Sequence, residues 1–192
     1  MNADAQHIAE PIEEALRVVT GVLEASDIRY ALIGGLAAAE HGVIRATQDV
    51  DLLLTVPAVS LPGLLERLRE AGCRINTDRV IREWTRDHLT RFYFGPVPID
   101  WLAPVIPLFQ VVLERAVTQI VLGRPVRVAD VEGTILMKLV AFRPEDRRDI
   151  EAIVAANAAI DWAFVRRELE AVFEPDDERL TWLQSLAAPP SA

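Results

Sequence analysis

The stretch Ile33-Gly34-Gly35, followed after thirteen residues by Asp49-Val50-Asp51-Leu52, decides how this chain folds. Residues 30–33 are apolar and predict a short strand that runs into the glycine pair. Residues 36–41 predict a brief helix, and residues 49–54 predict a second strand. The sequence therefore predicts a strand, a glycine turn, a helix and a strand in succession.

Further helices and strands are predicted on both sides of this unit. Apolar residues at three- and four-residue steps predict an amphipathic helix over residues 8–23. The other predicted strands are residues 74–81, 89–94 and 97–102, with a small hairpin over residues 117–128. The other predicted helices are residues 60–72, 107–116, 130–142, 144–157 and 176–186, with one more starting at Asp161. Strands before helices indicate an α+β fold with a small mixed sheet, an α/β core over residues 1–128 and a helical extension over residues 129–192 packed on it.

Composition restricts the compartment and the partners. The chain has 192 residues, about half of them apolar, which is enough to bury a substantial core. The net charge of −9 argues against broad nucleic-acid binding, which needs a basic surface. The single cysteine and the polar, acidic start, unlike a signal peptide, favour a cytoplasmic protein. The longest apolar stretch, residues 101–113, is interrupted by prolines and is shorter than the roughly 18 to 20 residues of a membrane span, so we expect no membrane partner.

One short stretch is rich in arginine and aromatic residues. Its members are Arg74, Arg79, Arg82, Arg86 and Arg91, with Trp84, Phe92 and Tyr93 among them. This composition suits a rim that binds an acceptor molecule. It equally suits a solvated hairpin whose arginines pair with the surplus acids, and the sequence leaves both interpretations open.

Three aspartates are predicted to converge. Asp49 and Asp51 are two residues apart on a strand, so both side chains leave the same face. Asp100 points away from its neighbours Ile99 and Trp101 on another predicted strand, where it can lie beside the first pair. Such clusters of oxygen ligands suit Mg²⁺ or Mn²⁺, although an isolated Asp-x-Asp pair also fits a turn or surface position.

The glycine pair strengthens the interpretation as a phosphate site. Gly34 and Gly35 lie between a strand and the start of a helix, where backbone N–H groups can approach a phosphate. An ordinary tight turn is the alternative for an isolated glycine pair. A glycine turn combined with converging aspartates indicates a more specific site than either feature alone.

Together these motifs resemble the DNA polymerase beta-like nucleotidyltransferase superfamily, and the glycine pair resembles its minimal and abortive-infection (AbiEii-type) toxin branches. The resemblance implies a nucleotidyltransferase fold, nucleotide phosphates at Gly34 and Gly35, and metal ions held by the three aspartates. Many members have serine where this chain has Gly35. The segment 45–49, with an arginine and a threonine before the aspartates, is similar to the toxin branch.

A helical segment downstream also resembles that branch. It contains Lys138, Arg143, Asp146 and Asp149, although Glu145 stands where a basic residue usually precedes the first of these aspartates. Lys138 lies at the edge of the apolar stripe of its helix, so its charge needs a partner such as Asp149 or a nucleotide phosphate. The alternative is a lysine that extends to water. Asp146 is expected only to complement the dipole of its helix.

The leading hypothesis is an enzyme that transfers a nucleoside monophosphate from a nucleoside triphosphate to an acceptor hydroxyl with Mg²⁺ or Mn²⁺. Asp49, Asp51 and Asp100 would hold the metal, Asp100 would receive the acceptor's proton, and Gly34 and Gly35 would seat the triphosphate. Lys138 or Arg45 would offset the phosphate charge. The resemblance implies RNA, a protein or a small molecule such as an aminoglycoside as acceptor. The alternative is a noncatalytic binding partner in a toxin–antitoxin pair. If the protein is a toxin, whether catalytic or not, we expect a cognate antitoxin as its partner.

Overall fold

The computed structural model describes residues 3–187 of the chain, and the side chains of residues 10–186. Its helices are α1 (Ala3–Ala25), α2 (Gly34–Glu40), α3 (Leu61–Glu70), α4 (Thr77–Asp87), α5 (Pro107–Arg115), α6 (Val131–Ala141), α7 (Pro144–Ala156), α8 (Trp162–Glu170) and α9 (Glu178–Ala187). Its strands are β1 (Tyr30–Ile33), β2 (Val50–Leu54), β3 (Cys73–Arg74), β4 (Leu89–Phe94), β5 (Val97–Leu102), β6 (Val117–Val121) and β7 (Arg124–Val128).

These strands form one mixed sheet in the order β3-β4-β5-β2-β1-β7-β6. Strand β2 is antiparallel to β1 and parallel to β5, while β1 is parallel to β7. The register places Asp51 directly beside Asp100 on the neighbouring strand. The expected α+β class with a mixed sheet flanked by helices is confirmed.

The two faces of the sheet contact different helices. Val50, Leu52 and Trp101 point to the first face and are buried with apolar residues of α1, α3 and α4. Ala31 and Leu53 point to the second face and are buried with residues of α5 to α9. Each buried leucine stabilises the fold by about 1.5 to 3 kcal/mol, so the sheet is stabilised from both sides. The predicted division of the chain after residue 128 stays a prediction.

Part of the second face carries no helix. Along β4, Thr90 and Phe92 are buried on the first face, whereas Leu89, Arg91 and Tyr93 are exposed on the second. Leu89 is 56% exposed although leucine is a strongly apolar residue. The sheet therefore presents an open surface at β4.

The strand predicted over residues 74–81 is wrong, because most of this segment belongs to helix α4, which starts at Thr77. The side chain of Asn76 caps the helix by accepting a hydrogen bond from the backbone N–H three residues later. Val80 and Trp84 are buried and lie four residues apart, which is the spacing of one helix face. This spacing is a helical period, with the charged residues of the segment on the other side of the helix.

Among residues 3–187, no helix combines the length and the apolar character that crossing a membrane requires.

Candidate active site

The structure brings Asp49, Asp51 and Asp100 together. One carboxylate oxygen from each residue lies within 4.8 Å of the other two. Strand alternation directs Asp49 and Asp51 to the same face, and the β2–β5 register brings Asp100 to their side. The hydroxyl of Thr47 donates a hydrogen bond of 2.7 Å to Asp49. Asp49, Asp51 and Asp100 are called the acidic triad below.

The acidic triad carries surplus negative charge. Burial first, and then the charges of Asp49 and Asp100, raise the pKa of Asp51 to about 7, against a hydrogen bond from the Gly35 N–H and the charge of Arg91. Three oxygen donors with such repulsion match the ligand preference of a hard divalent cation. The geometry therefore fits a bound Mg²⁺ or Mn²⁺.

Arg91 is a member of the site that sequence reasoning assigned only to the arginine-rich rim. Its Nε donates to Asp100 Oδ1 at 2.6 Å and its Nη2 donates to Asp100 Oδ2 at 2.5 Å. This side-chain pairing raises the pKa of Arg91, so the guanidinium stays charged. The hairpin register was the available signal, because pairing Phe94 with Val97 across the turn places Arg91 opposite Asp100.

Three of the other four arginines of the predicted rim also have partners. Arg74 donates to the Gly95 carbonyl at 2.8 Å, and Arg79 Nη1 lies 3.2 Å from Glu83. Arg86 Nε lies 3.6 Å from Asp87. These contacts favour the interpretation in which the arginines pair with local acceptors. They lie on a helix and on strands, not on the simple hairpin that was expected.

Both glycines of the turn are required by close approach. Gly34 has φ of 68°, a left-handed conformation that favours glycine. A Cβ atom at Gly34 would lie 2.0 Å from Asp51 Oδ2, and one at Gly35 would lie 2.6 Å from Thr47 Oγ1. A serine at position 35 would collide with Thr47, so the position of Thr47 requires glycine here. The turn therefore forms a wall against which the acidic triad packs.

Lys138 lies in a buried ionic cluster with Asp146 and Asp149. Its Nζ is 2.6 Å from Asp149 and 3.4 Å from Asp146, and its side chain is only 5% exposed. The expected pairing with Asp149 is confirmed, and the alternative of a lysine extending to water is wrong. The expectation that Asp146 only complements a helix dipole is also wrong, because this carboxylate is buried and binds Lys138.

Two arginines complete this ionic cluster. Arg45 donates to both oxygens of Asp149, at distances from 3.0 to 3.2 Å. Arg143 donates two hydrogen bonds to Asp146, one from Nε at 2.7 Å and one from its backbone N–H at 3.1 Å. Burial opposes ionisation of Asp149, but the hydrogen bonds from Arg45 and Lys138 outweigh it and lower the pKa. These three cations and two carboxylates are called the basic cluster below.

The acidic triad and the basic cluster line one cleft of about 370 Å³. Its walls are Ile33, Gly34, Gly35, Arg45, Asp49, Asp51, Arg91, Asp100, Met137, Lys138, Ala141, Arg143, Glu145 and Asp146. All seven predicted site residues are therefore in the same cleft. A larger open cleft of about 990 Å³ surrounds Arg29 and Tyr30 at the opposite end of β1. Within the described residues, the only acid group with metal-binding geometry is the acidic triad, so chemistry favours the smaller cleft.

The comparison with protein families agrees with this geometry. Residues 12–183 match the family described as a nucleotidyl transferase of unknown function (DUF2204). The chain belongs to this family. No curated protein matches the chain significantly in sequence.

Several solved structures share the fold of this chain. An antigenic nucleotidyltransferase-like protein from Paracoccidioides brasiliensis is 15% identical, with a TM-score of 0.50 over 91% of this chain and 93% of its own. The resistance factor ANT(2'')-Ia, solved in complex with adenylyl-2''-tobramycin, is 14% identical, with a TM-score of 0.53 over 92% of this chain and 98% of its own. The solution structure of ANT(2'')-Ia is 15% identical to this chain, with a TM-score of 0.52 over 91% of this chain and 92% of its own. The protein therefore has the nucleotidyltransferase fold.

Proposed function

We propose that the protein is a metal-dependent nucleotidyltransferase that moves a nucleoside monophosphate from a nucleoside triphosphate to an acceptor hydroxyl. The observation that carries the proposal is the acidic triad, whose three carboxylates lie within 4.8 Å of one another beside a glycine turn. The family and the fold support this activity.

Asp49, Asp51 and Asp100 would hold Mg²⁺ or Mn²⁺. Their oxygen donors suit these ions, and burial together with the charges of Asp49 and Asp100 raises the pKa of Asp51, so a cation would favour its charged form. When bound, the ion stabilises the negative charge of the phosphoryl oxygens.

The rest of the cleft suits a triphosphate. The Gly34-Gly35 turn adds no side chain to the wall beside Asp51, and two cations of the basic cluster, Arg45 and Arg143, are partly exposed, although Arg143 also lies 3.4 Å from Glu145. Arg45 and Arg143 are 42% and 63% exposed, so their guanidinium groups can contact phosphate oxygens directly. Lys138 is buried against two carboxylates and would act by its charge and by orienting Asp149.

The transfer itself is a substitution at the α-phosphorus. The acceptor oxygen forms a bond to phosphorus, the bond from phosphorus to the pyrophosphate oxygen breaks, and the acceptor proton passes to the Asp100 carboxylate. Arg91 binds the same carboxylate and holds it at the centre of the site. Membership of the abortive-infection toxin branch stays a prediction, and so does a cognate antitoxin.

Thermal unfolding with ligands tests this proposal. Each nucleoside triphosphate with Mg²⁺ is added to the wild type and to Asp51→Asn, which keeps the side-chain shape but removes a metal-binding charge. Ligand at a hundredfold excess over Kd stabilises the folded state by about 2.7 kcal/mol. For a chain of this size, each kcal/mol raises the melting midpoint by roughly 2 to 4 °C. We expect a metal-dependent shift in the wild type that largely disappears in Asp51→Asn, whereas equal shifts would place the nucleotide elsewhere. No shift with any triphosphate would favour a noncatalytic partner.

A further inference from the structure

A second cavity adjoins the acidic triad on the side away from the basic cluster. It has a volume of about 340 Å³ and is lined by Ile33, Asp51, Leu89, Thr90, Arg91, Asp100, Trp101 and Leu102. Four of these residues also line the first cleft: Ile33, Asp51, Arg91 and Asp100. The acidic triad therefore stands at the junction of two cavities.

The two cavities differ in their chemistry. The first contains the cations Arg45, Lys138 and Arg143, which the second lacks. The residues that belong only to the second cavity are Leu89, Thr90, Trp101 and Leu102, and none of them is charged. Thr90 and Trp101 direct their side chains to the first face of the sheet, where the Thr90 hydroxyl donates to Glu83 at 2.6 Å. Beyond the shared aspartates and Arg91, the side chains that line this cavity are therefore the apolar Ile33, Leu89 and Leu102.

The cavity lies where the sheet carries no helix. Leu89 on β4 and Leu102 on β5 are directly paired and flank it, and Leu89 is 56% exposed. An exposed leucine alone needs no explanation. A leucine that lines a cavity beside the acidic triad offers contact area for an apolar ligand.

We infer that this second cavity is the acceptor site, and that the acceptor is a small molecule with a hydroxyl group on an uncharged, apolar body. The inference rests on the proposed function. In phosphoryl transfer the attacking and leaving oxygens lie roughly in line on opposite sides of phosphorus. With pyrophosphate leaving toward the basic cluster, the acceptor oxygen approaches from the second cavity.

Size and charge define the ligand class. A volume of about 340 Å³ suits a small molecule and not a folded partner. A polycation would find carboxylates here only at Asp51 and Asp100, and Arg91 already binds Asp100. The cavity therefore does not suit a polycationic acceptor such as the tobramycin moiety seen with ANT(2'')-Ia.

Saturation-transfer NMR on the full chain tests the inference with 2-naphthol, a neutral aromatic alcohol, as the apolar probe and tobramycin as the polycationic probe. Leu89→Gln replaces apolar wall with a polar amide, and the Ile120→Gln variant is the matched control, since Ile120 is an apolar strand residue, 64% exposed, outside both cavities. Loss of this apolar contact should weaken 2-naphthol binding about fivefold. Ile120→Gln should bind like the wild type, and tobramycin should give no transfer.

MgATP added to the same samples separates this inference from the proposed function. Both Gln variants should keep the thermal stabilisation by MgATP, and 2-naphthol should stay bound in its presence because the two ligands occupy different cavities. Displacement of 2-naphthol by MgATP, equal binding by Leu89→Gln, binding of tobramycin instead, or displacement by an RNA oligonucleotide would each overturn the acceptor assignment. If MgATP stabilises the wild type but 2-naphthol shows no saturation transfer, this inference is overturned and the proposed function is not. A wild type that no triphosphate stabilises contradicts the proposed function.

Discussion

The acidic triad and the basic cluster are built from the same kinds of groups but balance their charges differently. In the triad, three carboxylates share one guanidinium, that of Arg91, which leaves two negative charges. In the basic cluster, Lys138 and two arginines pair with two carboxylates, and Glu145 Oε1 lies 3.4 Å from Arg143 Nε, so no surplus negative charge remains. The carboxylates of the basic cluster are buried, whereas Asp100 in the triad is 28% exposed.

This difference separates a cluster whose carboxylates are already paired from a site that needs a bound cation. In the basic cluster each buried carboxylate has cationic partners, and removing one partner leaves uncompensated charge. In the acidic triad the carboxylates exceed the cations, and titratable groups with perturbed pKa values in clefts mark functional sites. Stability should therefore depend more on the basic cluster, and metal binding on the acidic triad.

The largest expected effect is the loss of Lys138. Lys138→Met keeps the volume of the side chain but leaves Asp146 and Asp149 with only their arginine partners. Removing one member of a buried ion pair costs about 3 to 5 kcal/mol, and we expect the lower end because Arg45 and Arg143 remain. Urea unfolding measures the change. A loss below about 1 kcal/mol, the level of a surface pair, would show that the basic cluster is not structural.

The next effect concerns the turn that packs against the acidic triad. Gly34→Ala introduces a Cβ that would lie 2.0 Å from Asp51, in a left-handed backbone conformation. Such strain costs about 1 to 3 kcal/mol, and displacement of Asp51 should abolish stabilisation by nucleotide and Mg²⁺. The control is Gly21→Ala in α1, where an added Cβ meets nothing within 4 Å. This control should gain roughly 0.5 to 1 kcal/mol, and a Gly34→Ala protein that behaves like it would refute the packing argument.

Protonation of Asp51 should give a smaller, pH-dependent effect. Because the folded-state pKa is raised to about 7, this carboxyl stabilises the fold when protonated. That contribution is complete below about pH 4, the pKa of an unperturbed aspartate, and is lost as the pH rises through 7. Asp51→Asn does not lose it, so the variant should melt higher than the wild type by more degrees at pH 8 than at pH 5. Mg²⁺ should shrink the difference at pH 8, and a difference independent of pH would argue against the raised pKa.

The smallest expected effect is the loss of the exposed ion pair in the acidic triad. The side chains of Arg91 and Asp100 are 50% and 28% exposed. Exposed pairs contribute about 0 to 1 kcal/mol, so Arg91→Gln should change the unfolding free energy by less than about 1 kcal/mol. Urea unfolding beside Lys138→Met provides the direct contrast. Equal losses in the two variants would remove the distinction between the two clusters.

Local patterns predicted most of the fold and the acidic triad. Alternation along a strand gave the common face of Asp49 and Asp51, because side-chain direction depends only on neighbouring residues. Pairing between distant elements was harder to infer. Arg91 reaches Asp100 through a hairpin register, and Asp146 reaches Lys138 through the packing of α6 on α7.

Helix α4 shows a different obstacle. Its buried face consists of Val80 and Trp84, and the remaining positions are mostly charged or polar. Val80, Ile81 and Trp84 lie on one side of the helix and its charged residues lie mostly on the other, so the segment carries a helical period that the strand prediction overlooked. The cap at Asn76 was the better signal.

The contact between Arg45 and Asp149 joins residues 104 positions apart in the sequence. Protein synthesis proceeds from the N-terminus, so a ribosome makes the whole acidic triad well before it adds Asp149. A nascent chain that ends near β5 has all three aspartates but lacks Lys138, Arg143 and both carboxylates of the basic cluster. Strand β1 at that stage also lacks β7, its parallel neighbour. The order of translation thus completes the acidic triad before most of the basic cluster exists, and such a truncated product lacks two of the three cations of that cluster.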